Sequence, residues 1–140
     1  MSELIEVARE IADAIQIGDV EEAVKLLDGN DALIHFTEFG GTWLHLACCE
    51  GNAEMAKWLI DHGISVNVSD EFYGTPIDQA AMYGHLELVR FLVSANASLD
   101  TSDHTANPLY SAIHNGHQHV VEYLITTDLD RHTTYRTPTG

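Results

Sequence analysis

Histidine and cysteine are the residues of this chain best suited to chemistry. Nine histidines are present, and His114, His117 and His119 form an H-x-x-H-x-H cluster, with His85 about 30 residues earlier. A zinc site needs three or four nitrogen or sulfur ligands converging on one point. The turn expected at Gly116 would hold His114 away from the other two, so we expect no metal site and keep a metal-binding module on His114, His117 and His119 as a minor alternative. Cys48 and Cys49 are adjacent and cannot close a loop; they read as reduced thiols of a cytoplasmic protein. The chain has no Gly-x-Ser-x-Gly elbow, no His-Glu-x-x-His and no phosphate-binding glycine loop. Its carboxylates are scattered over repeating positions, as on a solvated face. We therefore expect no enzyme, no catalytic residue and no cofactor.

The elements that carry these residues follow a fixed period. Gly18, Gly51 and Gly84 are 33 residues apart, and Gly116 follows after 32. Leu26, Leu59, Leu92 and Leu124 keep the same intervals. Ahead of each later glycine stands a similar block: Thr42-Trp43-Leu44-His45-Leu46-Ala47, Thr75-Pro76-Ile77-Asp78-Gln79-Ala80 and Asn107-Pro108-Leu109-Tyr110-Ser111-Ala112. Thr or Asn can cap a helix by accepting its first amide protons. Proline fits the first helical position, where no N–H is needed. Ala47, Ala80 and Ala112 permit close approach of a neighbouring helix. Glycine ends the short helix. A second stretch with apolar residues at helical spacing then follows, as in Leu86–Val93. One such unit cannot cover its own apolar face, so stability must come from stacking.

These blocks resemble the ankyrin repeat family, whose pattern T-P-L-H-x-A-A-x-x-G-H is nearest in the third block. The resemblance covers roughly residues 9 to 127 and implies an all-α ankyrin-repeat solenoid. Its helix-turn-helix units would be stacked, joined by short β-turn or hairpin fingers, with an N-terminal capping repeat ahead of three repeats. We expect one domain, 1–127, made of a cap at 1–34 and repeats at about 35–67, 68–100 and 101–127, followed by a polar tail at 128–140. In the cap, a helix Glu3–Ile17 would turn Leu4, Ala8, Ile11 and Ile15 inward, and Asp19 with Glu22 would cap a second helix, Val20–Leu27. The family places His85 and His117 at the start of the second helix and uses His45 to tie its turn together, so these histidines read as structural. The chain departs from the family at Trp43, where proline is usual, at Asp78 and Tyr110, where histidine is usual, and in the connection Asn96 to Asn107, which is one residue short and lacks a glycine.

Twenty-two acidic residues against six basic ones give a net charge of −16, and nine of the acids fall within the first 31 residues. That balance disfavours phosphate-backbone contact, hence nucleic acid, and disfavours anionic membranes. No run approaches the roughly 20 apolar residues of a membrane span, and the N-terminus has no signal pattern. A basic protein partner would be steered in by the charge.

The candidate contact residues come from two places. Three turns between blocks project as fingers, and two of them set aromatic rings beside carboxylates: Phe36, Glu38 and Phe39; and Asp70, Glu71, Phe72 and Tyr73; the third offers Asp103 with His104. Carried over by position, the family's concave face adds Gln16, Trp43, Leu46, Cys49, Glu50, Gln79, Met82, Tyr83, Ser111, His114 and Asn115. The resemblance thus implies a protein-binding module, monomeric or weakly dimeric. Small size and acidity also resemble the immunity proteins that bacteria make in the cytoplasm against toxin domains, which suggests an inhibitor of a basic partner. An adaptor, a scaffold or a delivered effector are the alternatives.

Overall fold

The computed structural model describes residues 2–37, 41–70, 74–99 and 107–132. These form α1 (Ser2–Ile17), α2 (Val20–Leu27), α3 (Asp31–Ile34), α4 (Trp43–Glu50), α5 (Ala53–Asp61), α6 (Pro76–Met82), α7 (Leu86–Ser94), α8 (Pro108–His114) and α9 (Gln118–His132). No strand occurs among the described residues; the nearest approach is an antiparallel bridge between Asp70 and Gly74 at the base of a finger. The architecture is the expected all-α solenoid: α1/α2, α4/α5, α6/α7 and α8/α9 are helix pairs, each stacked on the next.

Local chemistry sets the helix starts. Asp19 accepts from Glu22 N, Asn52 from Met55 N and Asn107 from Tyr110 N. At α4 and α6 the cap is reciprocal: Thr42 and Thr75 accept from the helix, while His45 and Asp78 accept from the capping residue's own N–H. The short α3 is absent from the sequence reading; it forms because Asn30 caps Leu33 N and Leu33 and Ile34 are buried. The connection after α7 lacks glycine, yet Asn96 there adopts φ 71, the left-handed turn that Gly63 supplies one repeat earlier. Asparagine is the side chain that best tolerates this region.

The helix α9 runs to His132, so the expected start of the tail at 128 lies inside a helix. The sequence explains it: no glycine or proline interrupts between Gly116 and Pro138.

The core is one continuous row. Ala47, Cys48, Ile77, Ala80, Ala81 and Ala112 fill the seams between first helices; Met55, Leu59, Leu88, Leu92, Val120 and Leu124 fill those under the second helices. The small residues let α4, α6 and α8 pack closely, whereas α5, α7 and α9 stand further apart. The array therefore curves with its first helices on the inside.

Candidate protein-binding surface

Two rows of residues end the first helices on that inner side. Immediately before each turn glycine stand Ile17, Glu50, Tyr83 and Asn115, all exposed. One place earlier stand Gln16, Cys49, Met82 and His114, exposed or half-buried. The rows are aligned by the glycines themselves: Gly18, Gly51, Gly84 and Gly116 all have positive φ, and each helix stops one or two residues before its glycine. Tyr83 is 50% exposed and Ile17 79%, so the strip carries large apolar groups in water. Such groups at a polar rim are what protein interfaces use as anchors.

The strip also holds an accessible thiol. Burial pushes the Cys49 thiol above its ordinary value; a hydrogen bond to the Tyr83 side chain opposes this, and Glu50 adds to it. Burial pushes Cys48 up much further, with Cys49 adding to it. Both thiols therefore hold their protons at neutral pH and are poor nucleophiles.

Trp43 is a correction. Expected as a contact residue, it is 3% exposed, and its indole N–H donates to the carbonyl of Leu33 at 2.7 Å. The first helical position needs no particular side chain, so the ring turns back over α3, where it finds both apolar cover and an acceptor. Phe36 is half-buried beside it, with ring centroids 6.3 Å apart. Gln79 and Ser111 of the concave set are also buried, and Leu46 is half-buried. Asp70 is half-buried at its bridge to Gly74. Glu38, Phe39, Glu71, Phe72, Tyr73, Asp103 and His104 lie outside the described residues.

Four of the described histidines, His45, His85, His114 and His117, are engaged within the fold, while His119 is exposed. His45 Nδ1 accepts from Thr42 N at 3.0 Å, so the proton lies on Nε2, which donates to Gly74 O at 2.9 Å in the next finger. His85 Nε2 donates to Cys49 O at 2.9 Å in the preceding repeat. His117 rests over Gly84 in the way that His85 rests over Gly51. His114 stacks on Tyr110, with centroids 5.6 Å apart. No group of three His, Cys, Asp or Glu side chains is placed to hold a metal ion among the described residues.

Two exposed groups were missed. Ile17 stands in register with Tyr83, and the glycine alignment alone could have found it. Ile113 is 58% exposed although its equivalents Cys48 and Ala81 are fully buried. It lies on the face of α8 that meets the following repeat elsewhere in the array.

Stacked helix pairs with an accessible inner strip define a repeat solenoid, a scaffold that presents a surface. The family profile described as ankyrin repeats in three copies matches residues 11–103 and 67–136. The chain belongs to the ankyrin-repeat family. It is a protein–protein interaction module, and ankyrin-repeat proteins are generally non-enzymatic. A comparison with curated proteins gave no significant match. No helix among the described residues is long and apolar enough to cross a membrane.

Proposed function

We propose that this module is an inhibitor of the immunity type, which occupies a basic protein through the inner strip and the finger tips. The observation that carries the reading is the pairing of exposed apolar groups, Ile17 and Tyr83, with Glu50 on a chain of net charge −16. Apolar anchors give affinity, while the surrounding charge selects and steers a cationic partner.

The test starts from capture of the partner in the native host with the tagged chain, followed by assay of that partner's activity. A cationic protein should be retained, should lose its activity in the complex, and should dissociate faster as salt is raised. Tyr83→Ala should weaken the complex without lowering the melting temperature. A retained partner that keeps full activity, or binding indifferent to salt, rules the reading out.

A further inference from the structure

A second surface lies on the opposite side, between α2 and α5. It is a cleft of about 500 Å³ lined by Val24, Trp58, Glu21, Glu54, Lys57 and Asp61 among others. Lys57 is already bound to Asp61 at 2.8 Å. Glu21 and Glu54 have no side-chain partner among the described residues. The cleft thus offers an indole and two uncompensated carboxylates. His62 lies parallel to the indole, with centroids 3.8 Å apart. It is not part of the cleft lining.

The repeat register shows what such a cleft holds. Six residues after the turn glycines stand Val24, Lys57, Arg90 and Glu122; seven after stand Lys25, Trp58, Phe91 and Tyr123. Between α7 and α9 the corresponding space is filled from within, because the Arg90 guanidinium sits 5.3 Å from the centre of the Tyr123 ring. Between α2 and α5 the position equivalent to Arg90 is Val24, which carries no charge. The ring there is tryptophan, the best of the three aromatic faces for a cation. The carboxylates of Glu21 and Glu54 line the same cleft.

We infer that this cleft is a receptor for an arginine side chain of a basic protein segment, which would sit against Trp58 as Arg90 sits over Tyr123, with Glu21 and Glu54 accepting from the guanidinium. It adds a site on the second helices, separate from the inner strip, and shares with the proposed function only the positive charge of the partner.

The probe is a capped peptide of alternating glycine and arginine, titrated into the full chain labelled with nitrogen-15. The indole N–H resonance of Trp58 should move saturably, while that of Trp43, held by Leu33, stays in place. The same peptide with citrulline for arginine should leave both unmoved. Glu54→Gln should weaken binding at least about threefold, the scale of one exposed cation–aromatic or charge contact. Val24→Arg should supply the cation internally, shift the Trp58 resonance without peptide and reduce peptide affinity; if that variant melts early, Glu54→Gln decides alone. An unmoved Trp58 resonance, or shifts spread over the acidic helices, overturns the inference. So does unchanged affinity in Glu54→Gln. If the peptide instead perturbs Met82 and Tyr83, the inner strip is the cationic site and the cleft is not. A captured partner that depends on Tyr83 but ignores Glu54 leaves the proposed function standing and removes the cleft.

Discussion

The imidazole of His85 donates from Nε2 to the carbonyl oxygen of Cys49, 36 residues earlier, at 2.9 Å. The same ring lies so close to Gly51 that a Cβ added there would stand 2.6 Å from Nδ1. One side chain therefore closes the end of α4 and joins two repeats.

Alanine at Gly51 and at Gly18 separates the two demands made on these turns. Both positions have positive φ, at 74 and 83, but Gly18 has nothing within 4 Å of an added Cβ. Gly18→Ala should lose about 1–2 kcal/mol from backbone strain alone. Gly51→Ala should lose roughly 1 kcal/mol more, because the His85 hydrogen bond is displaced as well. Urea unfolding of the two variants measures the difference; equal losses would show that the histidine contributes nothing.

Ala80 is fully buried in the seam between first helices. Ala80→Glu places a charge where no partner can reach it, and should cost at least about 3 kcal/mol. Thermal melting checks this, and an unchanged midpoint would contradict the stacking register.

Trp43→Phe keeps the apolar ring but removes the donor to Leu33 O. Leu33 O keeps the Phe36 N–H as a second donor, so losing the indole hydrogen bond should cost about 0.5–1.5 kcal/mol. Partner affinity should stay the same once stability is accounted for, since the ring is not on the surface. A selective loss of affinity in a stable variant would return Trp43 to the interface.

The raised thiols give a pH signature. The native protein holds the Cys48 and Cys49 protons above the ordinary value of 9.0, so the folded state binds more protons there than the unfolded one. Their contribution is complete below that value and is lost as the pH rises beyond it. A thiol reagent at pH 8 should label Cys49 slowly and Cys48 only after unfolding. Rapid labelling of both in the native protein would contradict the burial.

Much of this was legible from spacing. The period places Gly51 and Gly84, the capping threonines and the seam alanines, because each answers a local backbone need repeated in every unit. That need also separated His85 and His117 from metal chemistry. Trp43 was misread because its position in the repeat says nothing of the direction its ring takes; α3, which receives it, has no repeat equivalent. Asn96 replaced the missing glycine through a backbone tolerance invisible to a residue pattern. Ile17 was passed over because Gln16 alone was carried from the end of that helix onto the concave face. The cleft at Trp58 needed two units compared at once: only beside Arg90 and Tyr123 does the valine at position 24 stand out.

The unequal spacing of the two helix rows has a mechanical consequence. The first helices meet through alanine-lined seams that admit no further approach, while the second helices stand apart. Bending the array therefore turns each unit about its inner seam, as pages turn about a spine. Its outer clefts would then open or narrow, with Leu59, Leu92 and Leu124 beneath the second helices taking up the change.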